Sequence, residues 1–191
     1  MKAKRVTWVV LFFKLICFFN ISAQGTKISY NGENTFYISS SLYSELKVNG
    51  KISFEDILQE GSWNLLIKEF GEPENTDLVS DSLFGKSRSD DFDGLRIYYS
   101  EIEDPGKLLA NRVEIDSTSF SLIANDFELS IRKPINDLFP AELKNKLSGK
   151  NRLVLFIEYE ENKYADIETI GLEIDPYTGI IKSMLIILWR P

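Results

Sequence analysis

The stretch Leu153-Val154-Leu155-Phe156-Ile157-Glu158-Tyr159 decides the fold, together with the two runs behind it, Ile167–Ile174 (IETIGLEI) and Ile180–Trp189 (IIKSMLIILW). Branched and aromatic side chains of this kind suit a pleated, half-buried surface. The first run is apolar enough for a central strand, and the second alternates apolar and polar residues with period two. Asp175-Pro176-Tyr177-Thr178-Gly179 joins the last two as a tight hairpin connection, with Pro at an early turn position and Gly where φ is positive. The chain therefore ends in three antiparallel strands.

Upstream, further strands are expected at Leu95–Ile102, Asn111–Asp116, Phe120–Ala124 and Phe127–Ile131, with a turn at Asp104-Pro105-Gly106. Thr35–Val48 reads as one or two strands ending in the Asn49-Gly50 turn. The period then changes. Ser53 begins a helix with Asp56 three residues on, near the positive end of the dipole. Ser62 caps a second helix whose Trp63, Leu66, Ile67 and Phe70 share one face, and Gly71 and Pro73 stop it. A second helical pair is expected from Pro134, with Ile135, Leu138 and Phe139 on one face, then Ala141–Leu147 closed by Ser148-Gly149. Residues 72–94 are polar and acidic and read as a mobile loop, with Leu78-Val79 and Leu83-Phe84 as its docking points.

These elements predict an α+β fold: an antiparallel β-sheet with short helical pairs packed on one face, in two tandem copies. Residues 35–116 form the first half and 117–191 the second, Asp56-Ile57-Leu58 and Asp137-Leu138-Phe139 being equivalent points. The alternative is one α+β domain over 35–191.

The run Ile67-Lys68-Glu69-Phe70-Gly71-Glu72-Pro73, followed by an extended segment ending in Ile97-Tyr98-Tyr99, carries a resemblance. Ile52–Tyr99 resembles the helical-pair-plus-sheet module of the small outer-membrane assembly lipoproteins and the β-lactamase inhibitory proteins, the latter with two such modules in tandem. The second half lacks the Gly-x-Pro stop, and the family's lipidation Cys and paired Cys are absent from residues 24–191. No binding residue carries over. The resemblance implies a role in binding other proteins.

At the other end of the chain, Lys2, Lys4 and Arg5 precede an apolar run from Val6 to Phe19, and Ser22-Ala23-Gln24 follows. That order is a secretory signal peptide over residues 1–23, with cleavage after Ala23 and a flexible leader over 24–34. The Ser-Ala-Gln ending resembles export signals common in the Bacteroidetes. The run is too short for a comfortable membrane span and contains Lys14, so no stable membrane insertion is expected after cleavage. The expected destination is the periplasm, the cell surface or the exterior.

The full chain of 191 residues carries a net charge of −7. Without residues 1–23, Lys plus Arg falls from 22 to 18 against 29 acids, a net charge of −11. Phosphate-backbone binding needs clustered cations, so nucleic acid is excluded as a partner. The single Cys, Cys17, lies in the signal, and the chain has no His. Ser-His-Asp and Cys-His nucleophilic sites, Cys/His zinc sites and His- or Cys-ligated haem are therefore excluded. Without disulfides, stability in an oxidising compartment rests on a core that 43% apolar residues can build.

The remaining motifs are weak. Gly85-Lys86-Ser87 has the tail of a phosphate-binding loop, but Ser80 stands where the leading Gly belongs. Ser44-Glu45-Leu46-Lys47 matches Ser-x-x-Lys in a β-like run and without a Lys-Thr-Gly partner. Asp90-Asp91-Phe92-Asp93-Gly94 offers carboxylates to Ca²⁺, but with Gly94 as the invariant Gly an EF-hand would start on Ser89 and end on Ser100, so an irregular Ca²⁺ site and a solvated acidic loop are the two readings. Trp63, Tyr98, Tyr99, Tyr159, Tyr164 and Trp189 are candidates for an aromatic contact surface. No catalytic, cofactor-binding or metal residue is assigned. The expected function is an exported, non-enzymatic binding or structural module of the cell envelope, its partner another envelope or extracellular protein. The alternatives are a carboxylate-based hydrolase of envelope glycans and a small-ligand carrier.

Overall fold

A computed structural model describes residues 28–30, 35–59, 61–81, 85–101, 107–139, 146–160 and 163–188. The expected signal, most of the leader, Leu83-Phe84, the Asp104–Gly106 turn and Trp189 lie outside the described residues, as do residues 141–145 of the expected last helix.

In chain order the strands are β1 (Ile28–Tyr30), β2 (Phe36–Ser39), β3 (Lys47–Val48), β4 (Ile52–Ser53), β5 (Asn75–Asp81), β6 (Gly85–Asp91), β7 (Leu95–Ser100), β8 (Leu109–Ile115), β9 (Ser121–Ala124), β10 (Phe127–Ser130), β11 (Arg152–Glu160), β12 (Lys163–Ile174) and β13 (Ile181–Ile187). The helices are α1 (Ser40–Glu45), α2 (Phe54–Leu58) and α3 (Ser62–Phe70), with a short 3₁₀ turn at Ile135–Leu138.

The fold is mostly β, which corrects the expected sheet with helical pairs on one face. Nine strands form a mixed sheet in the order β1-β2-β11-β12-β13-β8-β7-β6-β5, and four more form a small sheet in the order β10-β9-β3-β4. The described pairs are antiparallel except β2, which runs parallel beside β11.

The two expected halves do not form separate sheets. Strand β13 pairs with β8, β2 with β11 and β3 with β9, so both sheets are stitched across residue 116. The physical reasons are local. Pro134 forms an isolated bridge to Ile180, and a 3₁₀ turn over Ile135–Leu138 stands where the first helix of the second pair was expected; Lys146 and Leu147 are helical, at the end of the segment whose start lies outside the described residues. Residues 72–94, expected as a loop, contain the β5–β6 hairpin, in unbroken register from Asn75↔Asp91 to Asp81↔Gly85. Its side chains are too polar to show an apolar alternation, and backbone pairing carries it.

Where the helices do form, capping explains them. Ser39 Oγ accepts from Leu42 N–H at 3.2 Å and starts α1, a helix not expected from the β-like composition of Thr35–Val48. Ser53 Oγ accepts from Asp56 N–H at 3.1 Å while Asp56 Oδ2 accepts from Ser53 N–H at 3.0 Å, a reciprocal capping box on α2. Gly61, in the left-handed region, takes the cap position of α3 that the sequence suggested for Ser62. Ser53→Ala is expected to lower unfolding free energy by ~1 kcal/mol in a urea titration.

One glycine is required by close approach. Gly94 has φ +96°, and a Cβ there would sit 2.2 Å from Ser117 Cβ, so only Gly lets the β6–β7 turn rest against the end of β8.

The core lies between the two layers. Ile38, Leu155, Ile170, Ile186, Val113 and Ile97 project from the large sheet onto Val48, Leu122 and Leu129 of the small sheet and onto Leu46, Ile57 and Leu66 from the helical region. Each such side chain contributes about 1.5–3 kcal/mol of apolar burial. Edge-to-face pairs tie in the periphery: Phe36 with Phe139 at 5.2 Å and Phe70 with Phe120 at 5.3 Å.

Candidate functional site

The other face of the large sheet is the candidate site. Alternation along β11 puts Leu155 and Ile157 inward and Val154 and Phe156 outward. Strand β11 lies inside the sheet between β2 and β12, as its composition suggested; on its outer face Val154 is 40% exposed, while Tyr37 beside Phe156 is buried. Register aligns the outward residues in rows. Val154, Gly171 and Leu185 form one row across β11, β12 and β13, and Phe156, Thr169 and Ile187 form the next. Gly171 lacks a side chain between Val154 and Leu185, and a shallow depression of about 460 Å³ lies over this region.

Polar groups border the apolar strip. At one end Ser183 Oγ donates to Glu173 at 3.2 Å. Across β8, β7 and β6 the outward side chains form a paired lattice. Tyr98 Oη donates to Glu114 at 2.6 Å, Arg96 donates to Asp91 at 2.6 Å, and the Arg112 guanidinium stacks 3.6 Å above the Tyr98 ring. Burial pushes the Asp91 carboxyl up, but hydrogen bonds from Arg96 and the Gly94 amide outweigh it and hold the carboxyl below its usual range.

The acidic motif is split by strand alternation. Asp91 lies on the outer face, while Asp90 is fully buried on the inner one. Asp90 Oδ1 accepts from Thr76 Oγ1 at 2.8 Å and from Arg88 Nε at 2.9 Å. The Nε also lies 2.9 Å from Oδ2, but its hydrogen is aimed at Oδ1 and leaves Oδ2 without a hydrogen bond. Asp93 is exposed in the turn with φ +57°. The three carboxylates do not converge, and no group of three or more potential metal ligands gathers among the described residues.

The other motifs dissolve similarly. Gly85-Lys86-Ser87 opens β6 in an antiparallel hairpin, with Lys86 3.6 Å from Glu101. Ser44 ends in α1 and Lys47 lies in β3, so Ser-x-x-Lys does not open a helix. The aromatic residues do not form one patch. Tyr98 is outward, Tyr99 is buried on the opposite face, and Trp63 packs against Phe92 and under Arg88. The Tyr164 side chain lies outside the described residues.

A second feature lies where α1 and α2 meet the β11–β12 pair. The register jumps there from Phe156↔Thr169 to Ile157↔Ala165, a bulge in β12 next to Glu168. Glu168 is 7% exposed, accepts a hydrogen bond from Tyr159 Oη and lines a cleft of about 490 Å³ with Tyr43, Phe54, Glu55 and Ser44. The Tyr43 hydroxyl is buried without a hydrogen-bond partner. Burial first, and then the nearby Glu168 charge, push its pKa well up, so it stays protonated. Sequence reasoning missed this carboxylate, although Glu168 shares the phase of Ile170, Leu172 and Ile174, all inward.

No protein-family model matches the chain, and neither a curated protein nor a solved structure is significantly similar to it.

Acid should weaken the fold in a definite window. Backbone N–H donors of Thr178 and Tyr177 hold the Asp175 carboxyl down at about 2, from an ordinary 3.8, and Ser53 holds Asp56 below its usual range. A carboxyl depressed in the folded state stabilises it fully above its unfolded pKa, and that contribution is lost as pH falls through the folded value. The urea midpoint is therefore expected to be flat above about pH 5 and to fall steadily from about pH 4 to pH 2.

Proposed function

We propose that the protein is an exported, non-enzymatic binding module of the cell envelope that docks another envelope or extracellular protein on the outer face of its large sheet. The observation that carries this reading is the apolar strip of Val154, Phe156, Leu185 and Ile187 on a face from which the core is turned away. An apolar centre with a polar rim is the anatomy of protein interfaces. Beside the strip Arg96 is paired with Asp91 and Glu114, and the Arg112 guanidinium is stacked on the Tyr98 ring. The resemblance of Ile52–Tyr99 to modules that bind proteins points the same way. The acidic balance of the chain disfavours nucleic acid, and no helix among the described residues is long and apolar enough to cross a membrane.

The test is capture of a partner from envelope extract by the immobilised protein over a range of salt. Apolar docking predicts retention at about 1 M salt, where exposed charge pairs are screened within about 3 Å. A partner released completely by salt contradicts docking on the strip.

A further inference from the structure

We infer that Arg112 is the polar anchor of the outer face and takes an Asp or Glu side chain of the docked partner, next to an apolar residue seated on Ile187. This rests on the docking reading above and names the partner's chemistry. Register puts Arg112 opposite Ile187 on β13 and opposite Tyr98 on β7, in the row that continues through Thr169 to Phe156. Opposed side chains on one sheet face lie about 5 Å apart at Cβ, so the cation adjoins the apolar strip. Arg112 is half-buried and lines an open groove of about 810 Å³ together with Ile187, Tyr98 and Ser89.

The two arginines of this face differ. Arg96 is held by Asp91 at 2.6 Å and by Glu114 at 3.7 Å. Arg112 has the Tyr98 ring 3.6 Å from its guanidinium, and no carboxylate among the described residues lies within ion-pair distance of it. Its Nε is buried without an acceptor, a condition native folds rarely leave without reason. Glu114, two residues along β8, is engaged by Tyr98 Oη and Arg96. Asp77, the carboxylate among the described lining residues, stands three strands away in the same row. That is about 14 Å, beyond the screening length of about 8 Å at physiological salt. A guanidinium only donates, and its planar fork matches a carboxylate through two parallel hydrogen bonds. Stacking on Tyr98 fixes the fork before the partner arrives, so less freedom is lost on binding. A phosphate dianion calls for a second cation. Arg88, the other cation in the described lining, is paired with buried Asp90 on the inner face. Arg and Tyr are also the residue types that most often anchor interfaces.

The test pans a phage-displayed library of random heptapeptides on the purified protein, on Arg112→Gln and on Leu185→Glu. Peptides selected by the unaltered protein are expected to carry an Asp or Glu close to an apolar residue. Arg112→Gln is expected to keep the apolar preference and lose the acid, and Leu185→Glu to lose the apolar preference. The consensus peptide is then titrated by fluorescence anisotropy. Changing its acid to the amide, or Arg112 to Gln, is expected to weaken binding about tenfold, and both together no more than either alone. Arg112→Lys keeps the charge without the fork and should fall between. The melting temperature of Arg112→Gln should stay near that of the unaltered protein, since no ion pair is lost. The inference is overturned, and the docking reading kept, if the selected peptides are apolar without an acid. The same holds if changing the peptide's acid to the amide leaves its affinity for the unaltered protein unchanged. Selection of no peptide at all contradicts the docking reading and overturns this inference with it.

Discussion

Asp90→Ala is expected to lower the unfolding free energy by about 3 kcal/mol, among the largest effects of any single polar substitution in this chain. The carboxylate is fully buried and accepts hydrogen bonds from Thr76 and Arg88. Removing it strands both donors, and the stranded Arg88 charge is the larger loss. Breaking a buried pair from one side typically costs about 3–5 kcal/mol. Arg88 is 27% exposed and lies 3.9 Å over the Trp63 ring, so part of its charge can be rehydrated, which places the cost at the lower end. Asp90→Asn keeps an acceptor for Thr76 and should recover a fraction of the loss. Urea titration of the three proteins measures this directly. With total stabilities of about 5–15 kcal/mol usual for a domain, Asp90→Ala should shift the midpoint visibly. A change below about 0.5 kcal/mol would show that the cluster is a solvated surface feature and that β6 is misplaced.

The second large effect concerns binding. Leu185→Glu and Val154→Glu place a charge in the middle of the apolar strip, on the two strands that flank β12 at Gly171. Both side chains face away from the core, so stability should change by only about 0.5 kcal/mol. Partner affinity should fall by at least about 30-fold, since a central interface residue often contributes 2 kcal/mol or more. Leu78→Glu is the control. Leu78 is 66% exposed on edge strand β5, six strands from β11 in the sheet order, and its substitution should leave capture unchanged. Equal losses from all three variants would point to a general charge effect.

The sequence made the C-terminal meander legible because Leu153–Tyr159, Ile167–Ile174 and the Asp175–Gly179 connection carry period and turn chemistry together. It made α2 and α3 legible through Ser53, Asp56 and Gly71. It hid edge strand β5 and its neighbour β6, because backbone pairing holds this hairpin and its polar side chains do not alternate with apolar ones. It hid α1 because Ser39-Ser40-Ser41 reads equally as an extended polar run or as a cap. The site was less legible than the fold. Composition marked Asp90, Asp91 and Asp93 as a cluster, but adjacent strand residues face opposite ways, and Asp90 and Asp91 ended on separate sheet faces. The informative residues were single acids in an inward phase: Asp90 two places before buried Phe92, and Glu168 ahead of Ile170, Leu172 and Ile174. A carboxylate at a core position signals a buried partner or a cleft. Which of these it is depends on register, and here on a bulge that residue order does not announce.

Site-specific photo-crosslinking in the expressing cell tests the central claim most directly. A photoreactive residue at Leu185 sits in the centre of the outer face, and one at Tyr177, which is 96% exposed on the β12–β13 hairpin, serves as the reference. A discrete crosslinked species of another envelope or extracellular protein is expected from position 185, competed away by unmodified protein, and none from position 177. No adduct at 185, or the same adducts from both positions, would contradict docking on the outer face of the sheet.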